Sequence, residues 1–206
     1  MSVFKLGLTG SIGMGKSTTA NMFREAGIPV FDSDAVVHEL YAKGGEAVPY
    51  IAAAFPNSVE NGEVSRASLS KVLQADPSGF DRLNAIVHPL VSDRRQAFLE
   101  NARKRGATIV VFDIPLLFET GGETRVDGVL AVTAPADVQR ARVLARDGMT
   151  QEKFKQILTR QTPDAEKRKR ADFLIDTSLG LEAARKSVEE LIAKLKNNAN
   201  QPTADA

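Results

Sequence analysis

Residues 10–17 read Gly-Ser-Ile-Gly-Met-Gly-Lys-Ser, a Gly-x-x-x-x-Gly-Lys-Ser spacing with an apolar run before it and a helix-compatible stretch after it. Each residue type in that spacing suits an anion. Glycines let backbone N–H groups converge on phosphate oxygens with no Cβ in the way. A helix opening at Lys16 turns its unpaired N–H groups and positive dipole end on the same anion. The Lys16 amine can reach β- and γ-phosphates, and the Ser17 hydroxyl is placed to ligate Mg²⁺. Gly13, Met14, Gly15, Lys16, Ser17 and Thr18 are therefore expected to hold the phosphates of a nucleoside triphosphate. A plain glycine-rich turn is the alternative, and it gives Lys16 and Ser17 no purpose.

Carboxylates come next. Asp32-Ser33-Asp34 follows the apolar run Ile28–Phe31. In an open α/β sheet, ligands bind outside the carboxyl ends of the strands. Either acid can accept the proton of an attacking hydroxyl or hold Mg²⁺ through water. Either can instead cap a helix beginning near Ala35. Ile109-Val110-Val111-Phe112 also ends in an acid, Asp113. It is a candidate for orienting Mg²⁺-bound water, with a structural strand-end carboxylate as the alternative.

Among cationic candidates, His88 precedes Pro89, which disfavours regular helix at the histidine. A break there would point the imidazole in a definite direction, although a satisfied structural histidine fits equally. Arg94 and Arg95 follow on the next turns and suit an anionic substrate. Arg142 and Arg146 stand four residues apart, hence on one helix face. Arginines on a mobile element suit phosphoryl transfer, whose transition state spreads charge over the equatorial oxygens. A solvated basic face is the alternative, and it fits Lys167-Arg168-Lys169-Arg170 more easily.

These residues need a frame. Phe4–Thr9, Ile28–Phe31, Thr108–Asp113, Gly128–Thr133 and Phe173–Asp176 are short apolar runs of the kind that form a parallel sheet buried on both faces. Thr18–Glu25 shows helical period and ends at Gly27, a natural terminator. Leu181, Ala184, Val188, Leu191, Ile192 and Leu195 form one stripe of a closing helix. Alternating strands and helices predict a P-loop NTPase-type three-layer α/β/α core with a parallel sheet.

Two stretches exceed a simple crossover. About 70 residues between Ser33 and Gly106 hold helix-like segments (34–42, 46–55, 66–74 and 80–105) and no convincing strand. Breaks fall at Gly44-Gly45, Pro56-Asn57, Asn61-Gly62 and Asp76-Pro77. This is expected to be a helical insert that binds a second substrate. Pro135–Ala171 reads as a helical hairpin broken near Asp147-Gly148 and Thr162-Pro163, able to act as a lid. The expected division is a core of 1–35, 107–134 and 172–197, an insert of 36–106, a lid of 135–171 and a disordered polar tail of 198–206.

Composition bounds the remaining possibilities. The 206 residues are 43% hydrophobic and 26% charged, ordinary for a soluble protein. No apolar run approaches the ~20 residues that cross a bilayer, and no signal peptide is apparent. The absence of cysteine excludes disulfides and thiolate metal sites. Two histidines make a His-based zinc site a poor expectation. A cytoplasmic enzyme without a membrane partner is expected. Arg140 to Arg170 carries ten basic residues against four acidic, while the rest of the chain is net negative. That segment suits closure over a polyphosphate better than nucleic acid, because Phe154 is its only aromatic and single-strand binders stack bases on several.

Taken together, the motifs form a recognisable series. Leu8-Thr9-Gly10-Ser11-Ile12-Gly13-Met14-Gly15-Lys16-Ser17-Thr18, Val30-Phe31-Asp32-Ser33-Asp34 and His88-Pro89-Leu90-Val91 come first. Pro115-Leu116-Leu117-Phe118-Glu119, Arg142-x-x-x-Arg146-Asp147 and Gln161…Ala171-Asp172-Phe173-Leu174-Ile175-Asp176 complete it. In this order and spacing, from about residue 3 to about residue 195, the chain resembles the dephospho-CoA kinase family. The resemblance implies transfer of the ATP γ-phosphate to the ribose 3′-hydroxyl of dephospho-CoA, with Mg²⁺; a monomer or weak homo-oligomer is expected. It implies Asp34 as base with Asp32 its near competitor, and Arg142 and Arg146 on the transferring phosphate. His88, Arg94 and Glu119 become candidates for the acceptor side. Ser11 and Met14 depart from the commoner family residues at backbone-contributing positions, and Asp176-Thr177 stands where Asp-Asn is common. The rivals are other small-molecule P-loop kinases, acting on nucleoside monophosphates, shikimate or sugar acids, and a GTPase, for which Asn-Lys-x-Asp is missing.

Overall fold

In the computed structural model, residues 3–199 are described, and they alternate strand and helix from the start. In chain order the elements are β1 (Phe4–Thr9), α1 (Lys16–Glu25), β2 (Val30–Asp32), α2 (Ser33–Tyr41) and α3 (Val48–Ala54). β3 (Val59–Glu60), β4 (Glu63–Val64), α4 (Arg66–Ala75) and α5 (Gly79–Lys104) follow. The chain returns through β5 (Ile109–Asp113), β6 (Gly128–Thr133), α6 (Ala136–Leu144), α7 (Gln151–Thr159) and α8 (Asp164–Arg170). It closes with β7 (Phe173–Asp176) and α9 (Leu181–Ala199). α9 thus takes in the first two residues of the expected tail, and 200–206 lie outside the described residues.

The chain divides into two units: one runs up to Phe31 and resumes from Ala102, and the other is Asp32–Asn101. The first is built on a five-stranded parallel sheet of order β2-β5-β1-β6-β7. Every residue of β5 and β6 is buried, as central strands covered on both faces must be. The register pairs Leu8 with Asp113, so the carboxylate ending β5 sits beside the start of the 10–17 loop. Leu6, Leu8, Phe23, Val111, Leu130, Val132, Val188 and Ile192 form the core between sheet, α1 and α9. At the far end of α1, Gly27 takes φ +76° and the Ile28 amide donates back to the Phe23 carbonyl at 2.9 Å, which closes the helix.

The expected hairpin of 135–171 forms three helices, because the chain breaks at both anticipated points. Leu181 departs from the expected apolar stripe. It is 65% exposed, whereas Ala184, Val188, Leu191, Ile192 and Leu195 are buried.

The second unit packs α2 to α5 around Leu40, Ile51, Phe55, Leu69, Leu73 and Val87. Two expectations need correction here. Asn61 and Gly62 form the turn of a small antiparallel hairpin, β3 with β4, with φ of +53° and +84°. That Asn-Gly pair is the strongest short hairpin signal a sequence offers, and the flanking runs are only two residues each. α5 does not break at His88-Pro89: it runs through the proline for 26 residues. Proline removes one N–H from the helical ladder, and apolar residues on either side, Val87 and Leu90 among them, keep the helix seated on its core.

Candidate functional site

β1 delivers the chain into a loop whose geometry requires glycine at two points. Gly13 has φ +79°, and a Cβ there would lie 2.5 Å from Val143 Cγ2 and 3.0 Å from the Gln139 carbonyl oxygen. Gly15, at φ +86°, is the residue preceding α1 and leaves no side chain to cap the helix. The Thr19 amide is bonded to the Gly15 carbonyl, so the amides of Lys16, Ser17 and Thr18 belong to the first turn, where an α-helix supplies no internal acceptor. An uncapped N-terminus with its donors turned outward is a ready anion site. Lys16 Nζ lies 2.5 Å from Asp113 Oδ1, with the two side chains 17% and 5% exposed. The expected phosphate-holding lysine and the acid ending β5 are therefore one ion pair. Ser17 and Thr18 are exposed beside it.

Three side chains from later in the chain hold this loop, and one of them, Gln139, carried no recognisable signal. Gln139 is 6% exposed and donates to the Ile12 carbonyl at 2.7 Å. Gln161 accepts from the Ile12 amide at 3.1 Å. Thr177 Oγ1 donates to the Met14 carbonyl at 3.0 Å and accepts from Arg142 Nη1 at 2.8 Å. Arg142 Nη2 also donates to the Thr177 carbonyl at 2.7 Å. Thr177, which departs from the commoner family residue, thus supports the loop and Arg142 together.

A cavity of about 260 Å³ opens beside the loop, lined among others by Gly13, Thr18, Arg142, Arg146, Thr177 and Leu181. Arg142 and Arg146 both reach it, though not from one helix face. α6 ends at Leu144, and the Arg146 amide returns to the Val143 carbonyl in a tighter turn. The exposed Leu181 offers this cavity an apolar wall.

Glu119 faces inward. Its Oε1 accepts the Thr162 amide at 2.7 Å and lies 2.9 Å from Nζ of Lys167, a lysine with no exposed side-chain surface. The approach is an ion pair without hydrogen-bond alignment, since Lys167 Nζ and Glu119 Oε2 are both buried without a hydrogen-bond partner. Burial pushes the Glu119 carboxyl up, but Lys167 and the Thr162 amide outweigh it and hold it below its ordinary range. Glu119, expected on the acceptor side, has its Oε1 engaged inside the first unit. Arg170 reinforces the same attachment, stacking over Phe118 at 4.4 Å and pairing with Glu123.

The remaining expected residues lie in the second unit. Asp32 caps α2, accepting the Ala35 amide at 3.0 Å, and the helix starts at Ser33 rather than near Ala35. Asp34 is exposed in its first turn. His88 is exposed on the unbroken α5. Arg94 pairs with Glu46 at 3.0 Å on the surface.

Among the described residues no cluster of three or more His, Cys, Asp or Glu could hold a metal ion, and no helix is long and apolar enough to cross a membrane. Ser17 and Asp113 nonetheless offer a hydroxyl and a carboxylate. Such hard oxygen donors suit Mg²⁺, which takes few protein ligands and fills its sphere with water and substrate phosphates.

A parallel sheet whose first strand feeds an uncapped helix through a glycine loop, with a lysine–aspartate pair at its mouth, defines a P-loop kinase-type nucleotide site. Comparison with known proteins narrows the class. The sequence profile of the dephospho-CoA kinase family matches residues 4–182. Dephospho-CoA kinases of Mesorhizobium japonicum and Rhizobium etli are 59% and 57% identical, over 93% and 94% of this chain and 96% and 95% of theirs. A Thermus thermophilus crystal structure superposes with TM-score 0.80 at 34% identity, covering 95% of this chain and 99% of that one. Dephospho-CoA kinase from Campylobacter jejuni shares the fold at TM-score 0.69 and 23% identity, covering 94% and 98%. The chain belongs to the dephospho-CoA kinase family, and is a kinase of the final step of coenzyme A biosynthesis.

Proposed function

We propose that the chain carries out its family's reaction, transfer of the ATP γ-phosphate to the ribose 3′-hydroxyl of dephospho-CoA, with the following division of labour. Backbone amides from Gly13 to Thr18 take the ATP phosphates, and the cavity beside them takes the nucleoside. Lys16 leaves Asp113 for the β- and γ-phosphates. Ser17 and Asp113 would hold Mg²⁺, which when bound neutralises phosphate charge. Arg142 and Arg146 bring positive charge to the transferring group. Asp34 accepts the proton of the attacking hydroxyl, because Asp32 has its Oδ1 engaged in the α2 cap. His88 and Arg94 serve the acceptor, with Arg94 exchanging Glu46 for an anionic group of the substrate.

The observation that carries this reading is the 2.5 Å contact of Lys16 with Asp113 at the uncapped start of α1. A lysine amine and a carboxylate beside the unfilled amides of the first helical turn support a site for phosphate and Mg²⁺. The test is ADP release from Mg·ATP with dephospho-CoA, shikimate, CMP or no acceptor. Stimulation by dephospho-CoA alone, with coenzyme A appearing in step, supports it. Turnover with another acceptor and none with dephospho-CoA overturns it.

A further inference from the structure

A fully buried lysine is an expensive feature, and Lys167 has no part in the reaction as described. Its partner Glu119 is partly buried, with Oε2 buried and without a hydrogen-bond partner and Oε1 shared between Lys167 and the Thr162 amide. Such a pair is weak ground for stability, since apolar residues of similar size often replace buried ion pairs at no cost. What it fixes is more specific. The amide held by Glu119 belongs to Thr162, the residue next to Gln161, and Gln161 holds the Ile12 amide of the phosphate-binding loop. Gln139 holds the carbonyl of the same residue. Ile12 is thus gripped at both its peptide groups, once from α6 and once from the turn that joins α7 to α8. The grip from α6 is continuous with a regular helix. The grip from Gln161 hangs on a turn, and Glu119 is what anchors that turn to the segment following β5.

We propose that the Lys167–Glu119 pair is a positioning device for the phosphate-binding loop, acting through Thr162 and Gln161 on Ile12. Lys167 keeps Glu119 ionised and aimed at the Thr162 amide. Glu119 sets the turn, and Gln161 thereby holds the first half of the loop in the shape that receives ATP. The inference rests on reading this loop as the ATP site. It assigns Glu119, Lys167 and Gln161 a role in ATP affinity without contact with ATP.

The experiment measures ATP KM, dephospho-CoA KM, kcat and Tm for Gln161→Ala, for Glu119→Leu/Lys167→Met, and for the triple variant. Loss of one hydrogen bond predicts a rise in ATP KM of about fivefold for Gln161→Ala, with dephospho-CoA KM and Tm close to the parent values. The apolar pair gives a similar rise, and the triple variant shows no further rise, because all three changes break one connection. Glu119→Gln/Lys167→Met retains an acceptor oxygen for the Thr162 amide and recovers most of the lost ATP affinity. An unchanged ATP KM in Gln161→Ala overturns the proposal even if the apolar pair does not fold. Independent multiplication of the effects in the triple variant, or no recovery in the glutamine pair, overturns it as well. Failure of the parent chain to turn over ATP with dephospho-CoA would remove the reading of the site itself. Parent turnover with unaltered variants removes only this inference.

Discussion

Replacing Gly13 with alanine tests how tightly the phosphate-binding loop is held, and a second glycine supplies the control. Gly13 and Gly27 have nearly the same backbone angle, φ +79° and +76°. An alanine in that left-handed region costs roughly 1–2 kcal/mol wherever it stands. At Gly27 nothing lies within 4 Å of the added methyl, so that cost is the whole effect. At Gly13 the methyl falls 2.5 Å from Val143 Cγ2 and 3.0 Å from the Gln139 carbonyl. Val143 is completely buried and the Gln139 carbonyl is main chain of α6, so neither can swing aside. Forcing a methyl into such packing adds about 1–3 kcal/mol.

Gly27→Ala should therefore lose about 1–2 kcal/mol and Gly13→Ala about 2–5 kcal/mol. Urea unfolding, with unchanged slope m, measures both. At this chain length each kcal/mol also lowers Tm by about 2–4 °C. The functional readout separates them further. ATP should still raise the Tm of Gly27→Ala, by mass action on the folded state, and should raise that of Gly13→Ala far less. Equal unfolding losses at the two positions, or an intact ATP-induced shift in Gly13→Ala, would refute the argument that α6 clamps this loop.

Lys16→Ala should cost about 10²–10³ in kcat, the usual loss of a preorganised donor. Asp34→Asn should cost less, because a loose phosphoryl-transfer transition state draws little help from a base; equal or reversed losses in steady-state assays would sink that ranking. Thr177→Val keeps the shape but leaves the Met14 carbonyl and one arm of Arg142 unserved, so it should destabilise by about 1–3 kcal/mol and raise ATP KM; a parent-like melt would contradict it. Glu119, held below its ordinary range, contributes stability that is present above the unfolded carboxyl value of about 4.3 and is lost as pH falls through the lower folded value. Tm measured from pH 7 downward should therefore fall more steeply below that value in the parent than in Glu119→Gln/Lys167→Met, and parallel curves would refute it.

The sequence made local features legible and distant ones obscure, for a physical reason. β1, β6 and β7 are readable to the residue because each is a short, largely apolar run bounded by polar or loop-forming residues, although only β6 is buried throughout. The loop is readable because its chemistry lies within eight consecutive positions. Where local rules misled, packing had overridden them: Pro89 sits in an unbroken helix because the residues around it are committed to a core. Arg142 and Arg146 share a cavity although helical spacing does not link them, because α6 ends between them. The grip on the loop could not be read: Gln161 and Thr177 stood in or beside quoted motifs and Gln139 did not, but nothing local showed what any of them holds. Gln139, Gln161 and Thr177 lie 127, 149 and 163 residues from the groups they hold. No local pattern distinguishes a glutamine bonded to a main-chain amide across the sheet from one bonded to water. Glu119 shows the same limit from the other side: its motif marked it as special, but nothing local to it shows that its carboxylate meets Lys167, 48 positions later. Motifs in this chain therefore locate the chemistry, while the residues that hold it in shape are fixed by tertiary contacts. Those residues are where ATP affinity should be most open to change without touching a single phosphate contact.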